Sequence, residues 1–550
     1  MTGVNNLKRD SLFKGTFILS VSLILTKIIG LIYIIPYYKI VGGKNNMILI
    51  NYAYNYYVLL LELSSAGIPL AISKLISKYN EEKNYNKSKM IAKIGAILLL
   101  VLGILGFIIF IFGAESLAEH TIATVNVPLR YSVKDLELVI QTLSLAVPFA
   151  MLSAGLRGIF QGHEIMLPSA ISQFFEQFIR ILFMMLGTYI VMNITSGNVV
   201  YANAIATFAA SVGAIVAVLI LFYYYLKYKK HLFYHDNGIN EKKKSFGNSS
   251  VLGILKEIFS VSIPFVIVSS FFALLSLIDQ NTLLQAMDTI GKAQIGEDEF
   301  NIYNNYINKL VMISVAIAPA FTGAFLPAVT RLYVKRNNNE LSTQINKVTL
   351  SLLMIVLPSL FGMYILTKPL YVSFYEYDLD GFRLMKIYLP LALVYAVYGL
   401  TSIIMQAIEK QKLNIYIIIL GALFKYFLNK QFIYKFETAG AIYCSVFVYI
   451  IMIFLNVVII HNEIHLKLLE FIKNFIKILV TCLVMSFITF VIYEGLVLIL
   501  DVSKKFDSLL IIIICSIPAV ISYFSLLIKI KFTDYLFSRK VTLTTLLRRR

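Results

Sequence analysis

Long apolar stretches recur along nearly the whole chain, and short polar segments separate them. Many of these stretches hold 18 or more residues, enough for an α-helix to cross a hydrocarbon core about 30 Å thick. The pattern predicts an all-α polytopic membrane protein with about 14 transmembrane helices. The predicted spans are 14–40, 47–73, 90–113, 136–160, 168–192, 199–226, 257–284, 303–330, 346–370, 382–407, 412–430, 436–460, 470–493 and 508–528.

The amino-acid composition supports a membrane protein. Hydrophobic residues make up 59% of the 550 positions and charged residues 14%, and the mean hydropathy is +0.78. A soluble chain of average composition carries about 25% charged residues. The first apolar stretch continues to about residue 40 without a small-residue cleavage site, so we expect a retained first span rather than a signal peptide. The three cysteines lie inside apolar stretches and are expected to be core residues.

The distribution of basic residues predicts the orientation. With a cytoplasmic N-terminus, the inner segments hold 33 of the 49 Lys and Arg residues and the outer segments hold 12. This bias follows the positive-inside rule and predicts that both termini are cytoplasmic. The net charge of +19 has the same origin, because the basic residues are spread over inner loops beside anionic lipid rather than clustered for nucleic acid.

A weak internal repeat predicts two related halves. The pentad AISKL at 71–75 leaves span two, and the similar pentad AVTRL at 328–332 leaves span eight. Duplicated halves are common in secondary transporters, whose binding sites lie between them. The predicted domains are an N-terminal six-helix lobe at 1–226, a basic cytoplasmic linker at 227–256, a C-terminal six-helix lobe at 257–460, and two additional helices with a basic cytoplasmic tail at 461–550.

Charged residues within the predicted spans are the candidate functional residues. A charge near the bilayer centre costs about 2.5–3.5 kcal/mol on insertion scales, so it is expected to face a cavity or a partner. We expect an anionic headgroup to be attracted by a hydrated cavity between the halves. The predicted cavity residues are Lys27, Glu62, Glu176, Arg180 and Lys309.

Four of the charged residues within the predicted spans have a second interpretation. Glu176 and Arg180 stand four residues apart with the acid first, so they can also form a structural ion pair along one helix face. Asp279 and Lys425 lie toward the outer ends of their spans and are secondary or gate candidates. For these two, extension of the side chain to the outer membrane interface is the favoured explanation.

Several functional classes lack support in the sequence. The six histidines lie in loops or at span ends, which disfavours an intramembrane proton relay or a metal site. There is no nucleotide-binding P-loop. The acidic cluster Glu376, Asp378 and Asp380 is better explained as a solvated loop than as a glycosyltransferase site. The prediction is therefore a transporter without enzymatic activity or cofactor, driven by the membrane potential or by a coupled ion.

Four segments resemble the multidrug/oligosaccharidyl-lipid/polysaccharide flippase superfamily, especially its stage V sporulation protein B and MurJ-type branch. They are FKGT with TKIIG at 13–16 and 26–30, AGIPLAISK at 66–74, RGIFQG with PSAISQFFEQFIR at 157–162 and 168–180, and NKL with FLPA at 308–310 and 325–328. The resemblance covers roughly residues 10–460 and the two extra helices. It implies a V-shaped pair of six-helix lobes that work by alternating access.

The resemblance also implies a substrate and a location. Two cavity cations of MurJ-type proteins match Lys27 and Lys309. Two others are absent: one position is Tyr33 in this chain, and the arginine of span two is missing, with Glu62 close to its place. The implied cargo is an anionic lipid-linked oligosaccharide of the polyprenyl-phosphate type, such as lipid II, crossing the bacterial cytoplasmic membrane. An exopolysaccharide or teichoic-type repeat unit stays open, as do a drug/cation antiporter and a membrane scaffold or scramblase for cell-wall synthesis enzymes.

Overall fold

The computed structural model of the chain describes residues 33–62, 67–122, 130–163, 165–195, 197–233, 250–315 and 335–537, together with 26, 29, 30, 329, 332 and 333. Within these residues the regular structure is helical throughout, which confirms the predicted all-α class.

Eleven helical segments in the described part of the chain are long and apolar enough to cross a membrane, and each overlaps one predicted span. Several extend beyond the apolar stretch that revealed them, because polar residues continue the helix at its ends. They are α4 (Tyr85–Ile122), α5 with α6 (Val133–Ser144 and Ala146–Gly162), α7 (Leu167–Asn193), α8 (Val199–Phe233), α9 (Val251–Thr289), α12 (Asn338–Ile365), α14 (Leu379–Ala407), α15 (Gln411–Phe436), α16 (Thr438–Ile464), α17 (Leu468–Val497) and α18 (Lys505–Lys529).

The other three predicted spans overlap residues outside the described part of the chain, so the count of fourteen stays a prediction. What the structure describes near them is shorter helices. These are α1 (Ile34–Val41), α2 (Ile48–Leu61), α3 (Gly67–Glu81), α10 (Ala293–Asn301), a π-helical turn (Ile302–Ile307) and α11 (Asn308–Val315); α13 (Thr367–Phe374) and α19 (Phe532–Phe537) are further short helices.

The chain divides into two compact units, Met1–Gln294 and Ile295–Arg550. Helix α9 belongs to the first unit, although the repeat assigned residues 257–284 to the second lobe. An ion pair between Lys87 of α4 and Glu257 of α9, 3.0 Å long, ties it there. Gly67 of α3 also lies against α9, so closely that a Cβ would stand 2.8 Å from the Ser262 carbonyl oxygen. The division into lobes at the basic segment 227–256 therefore stays a prediction.

In the second unit the two C-terminal spans pack against α12. The side chains of Ile478, Cys482, Tyr523 and Leu527 form a core with α12 residues such as Leu353. The Tyr523 hydroxyl donates a 2.8 Å hydrogen bond to the Met354 carbonyl oxygen. All three cysteines are buried and free, as predicted from their apolar surroundings.

Candidate functional site

An interhelical clamp joins α6 to α7. Arg157, on the last turns of α6, donates a 3.0 Å hydrogen bond from Nε to Ser172 Oγ and an ion pair from Nη2 to Glu176. Ser172 and Glu176 are one turn apart on α7, so one guanidinium reaches both. Both members of the ion pair are largely buried, with 14% and 25% of their side chains exposed.

Glu176 forms its ion pair with Arg157, so the ion pair with Arg180 along one helix face, one of the two interpretations of their spacing, is not the arrangement in the structure. Glu176 is turned toward Arg157 on the preceding helix, and Arg180 extends toward α2 instead. Helix α8 brings this region close, because a Cβ at Gly213 would lie 2.6 Å from the Glu176 carbonyl oxygen and 3.0 Å from Arg180 Cβ. Only a residue without a side chain allows α8 to approach α7 at this level.

Arg180 lies in an aromatic setting. Its Nη1 donates a 2.8 Å hydrogen bond to the Tyr54 hydroxyl. The Tyr54 ring meets Tyr57 edge-on, with ring centroids 5.4 Å apart. An arginine offers five N–H donors in a fixed fork. Within the described residues the Tyr54 bond uses one of them, so the guanidinium is positioned and keeps donors suited to a phosphate.

A second polar layer joins α2 to α9. Asn55 Nδ2 donates to Gln280 Oε1 at 2.7 Å, and Gln280 is fully buried. The Tyr56 hydroxyl donates to Asn281 Oδ1 at 3.3 Å. Sequence reasoning missed this layer, since it searched for charges, although three amides within apolar stretches were a readable signal. Glu62 stands at the end of α2 next to Ser269 of α9, about two helical turns along α2 from Asn55.

Four predicted residues remain. Lys27 lies outside the described residues. Lys309 is half-buried at the start of α11, directly after the π-helical turn. Asp279 is 6% exposed and Lys425 is 0% exposed. The expected extension of these two side chains to the membrane interface was therefore wrong, because both are enclosed by protein.

The described residues contain no group of three or more His, Cys, Asp or Glu side chains that could hold a metal ion. What the structure brings together in the first unit is a clamped Arg157–Glu176 pair, a phenol-bound Arg180 and an amide layer. Such an arrangement suits an anion-binding wall with aromatic surroundings. A single cavity that joins Lys27, Arg180 and Lys309 stays a prediction.

Comparison with known proteins gives consistent results. The model of the family described as polysaccharide biosynthesis protein matches residues 12–333. The chain is 32% identical over 445 residues to the lipid II flippase MurJ of Bacillus subtilis (strain 168), covering 80% of this chain and 81% of that protein.

Two solved structures share the fold. One is an inward-facing multidrug resistance MATE family transporter of the MOP superfamily, with a TM-score of 0.62, 14% identity, and coverage of 82% of this chain and 98% of that one. The other is a lipid II flippase MurJ in an inward closed conformation, with a TM-score of 0.59, 16% identity, and coverage of 97% and 100%. These likenesses confirm the fold that the resemblance to MurJ-type flippases implied.

Proposed function

The chain belongs to the polysaccharide biosynthesis protein family, and we propose that it is a membrane flippase that exports a lipid-linked anionic oligosaccharide, lipid II being the leading candidate. The observation that carries this proposal is the 32% identity to the B. subtilis lipid II flippase, which extends over four fifths of both chains. Relatives of this kind are transporters, and the long apolar helices make this chain a multi-pass membrane protein.

The charge pattern of the first unit supports an anionic cargo. Arg180 is held by Tyr54 in a position where its other N–H groups can meet phosphate oxygens. An arginine within a predicted span is costly unless partners stabilise it, so a substrate phosphate is a fitting further partner beside Tyr54. Lys27 and Lys309 are the further cations that we assign to the headgroup path.

The electrical driving force favours export. We place both termini in the cytoplasm and the protein in the bacterial cell membrane. Outward movement of a diphosphate carries negative charge away from a negative interior, which yields about 2.3 kcal/mol per charge per 100 mV, or roughly 4–5 kcal/mol in total. The membrane potential can then drive the alternating-access cycle without a cofactor, while the cations shield the phosphates during passage.

Complementation tests the substrate. A B. subtilis strain depleted of its lipid II flippase activity is supplied with this chain, with Arg180→Ala, or with Lys435→Ala as a matched control. Lys435 is an exposed cation on α15. We expect growth with the unchanged chain and with Lys435→Ala, and loss of growth with Arg180→Ala at equal membrane abundance.

Two other outcomes would change the proposal. Failure of the unchanged chain to support growth, despite correct membrane insertion, would exclude lipid II. Assays in strains blocked in exopolysaccharide or teichoic-type repeat-unit export would then follow. Full growth with Arg180→Ala would remove Arg180 from the headgroup path.

A further inference from the structure

Lys425 is a fully buried lysine for which the transport scheme above has no use. It lies in the middle of α15, and 0% of its surface is exposed. Its Nζ donates to the Ala441 carbonyl oxygen at 2.8 Å and to Ser445 Oγ at 2.7 Å, both on α16. These distances are those of charge-assisted hydrogen bonds. The ammonium group is thus held by protein oxygens instead of water.

Helix geometry places the two acceptor oxygens, one carbonyl and one hydroxyl, next to each other. Ala441 and Ser445 are one turn apart, so the carbonyl of the first and the hydroxyl of the second project from the same face of α16. A backbone carbonyl oxygen has two lone pairs and can accept a second hydrogen bond beside its helical one. Both residues are at most 2% exposed. A dry pocket with carbonyl and hydroxyl oxygens is the kind of environment that replaces the hydration shell of a small cation.

The connection between the two helices makes this pocket rigid. A single residue, Glu437, joins α15 to α16 at a positive φ of 55°. Next to it, a Cβ at Gly440 would lie 2.2 Å from the Phe432 carbonyl oxygen, so the helices touch backbone to backbone. The oxygens of α16 therefore stay at a fixed distance from α15, whichever group fills the space between them.

We infer that the α15–α16 hairpin contains a site for a monovalent cation and that the ammonium of Lys425 permanently occupies it. The lysine is a tethered cation: it supplies the charge that an exchangeable ion would supply at these oxygens, and it cannot leave. Two consequences follow. Removal of the side chain should create a binding site for small external cations, and the unchanged protein should need no alkali cation at this position.

The first consequence is tested on purified protein by thermal unfolding in detergent. Lys425→Ala deletes three carbons and the ammonium, which n-propylammonium reproduces. Tm is measured in sodium, n-propylammonium and choline chloride at equal ionic strength, for the unchanged chain, Lys425→Ala, Lys425→Met and Lys435→Ala. Methionine fills the space without a charge, and Lys435 is an exposed lysine of the same helix.

The expected pattern is specific. In choline chloride Lys425→Ala should unfold at a lower temperature than the unchanged chain. Sodium or n-propylammonium should raise its Tm saturably, by about 2 °C or more, because a ligand that binds only the folded state stabilises it. The other three proteins should not distinguish the salts. If Lys425→Ala does not survive purification, the yield of monodisperse protein in each salt replaces Tm.

Equal responses of Lys425→Ala and Lys435→Ala to all three salts would overturn the inference, as would a Lys425→Met variant that gains the same stabilisation as Lys425→Ala. The second consequence rests on the proposed function. Transport by the unchanged chain should proceed equally in sodium and in choline, and a strict sodium requirement would count against permanent occupancy. Absence of any transport by the unchanged chain, in either salt, would refute the proposed function. The Tm test of Lys425→Ala would still decide the inference about the cation site.

Discussion

The Arg157–Glu176 clamp allows a quantitative prediction about stability. Arg157→Met removes the cation and leaves the Glu176 carboxylate without its partner in a largely buried place. Removal of one member of a fully buried ion pair costs about 3–5 kcal/mol. Since 25% of the Glu176 side chain remains exposed, the pair is not fully buried, and we expect a smaller loss of about 2–3 kcal/mol.

Glu176→Gln should be milder. The amide oxygen can still accept a hydrogen bond from Arg157, although the guanidinium loses its counter-charge, and the expected loss is about 1–2 kcal/mol. The double variant removes both charges. We expect it to lose about 1–2 kcal/mol less than the sum of the single losses, which is the interaction energy of neighbouring charged groups.

The assay is reversible unfolding of the four proteins in one detergent, followed by circular dichroism. Arg336→Ala serves as a control, because Arg336 is an exposed arginine of a loop and its loss should cost less than about 0.5 kcal/mol. Strictly additive losses in the double variant would refute the clamp as an energetic unit. A Glu176→Gln loss larger than that of Arg157→Met would refute the idea that the orphaned carboxylate is the main cost.

Two further predictions concern single residues. Gly158→Ala places a Cβ 2.6 Å from the Pro69 carbonyl oxygen and should lower the free energy of unfolding by about 1–3 kcal/mol through overpacking. Gly399→Ala has open space around the new Cβ and should raise the free energy of unfolding by about 0.5–1 kcal/mol. Equal Tm values for the two variants would contradict this prediction. The hydrogen bond to Glu463 raises the pKa of Tyr333 to about 12 from 10.0, so its stabilisation is complete below pH 10 and lost as the pH rises to about 12. The stability difference between the unchanged chain and Tyr333→Phe should therefore be constant from pH 7 to 9 and shrink above pH 10, and a difference that changes between pH 7 and 9 would disprove the assignment.

Hydropathy was sufficient to predict most of the fold. Spans such as α4 and α17 are recognisable because the bilayer demands long apolar helices, and their composition shows this without reference to any other part of the chain. The ends of the helices were harder to predict. Helix α4 begins at Tyr85 and ends at Ile122, well outside the predicted 90–113. Polar residues extend a helix into the interface without an apolar signature.

The partners of the buried charges could not be read from the sequence in the same way. The four-residue spacing suggested Arg180 as an ion-pair partner of Glu176, but Glu176 pairs with Arg157 on another helix. Only tertiary packing decides between these two partners. Lys425 illustrates the same limit. Its position in an apolar stretch was visible, yet the oxygens that receive its ammonium come from residues 16 and 20 positions later.

The one-residue connection at Glu437 also bears on how the protein is made. Among the eleven long helices of the described chain, α15 has the lowest hydropathy, and α16 is among the most apolar. A lysine near the middle of a helix opposes its release from the translocon into lipid by about 2.5–3.5 kcal/mol. Since the acceptors for Lys425 lie on α16, we expect α15 to remain at the translocon until α16 has been synthesised. The two helices would then partition into the bilayer as one hairpin, with the lysine already satisfied.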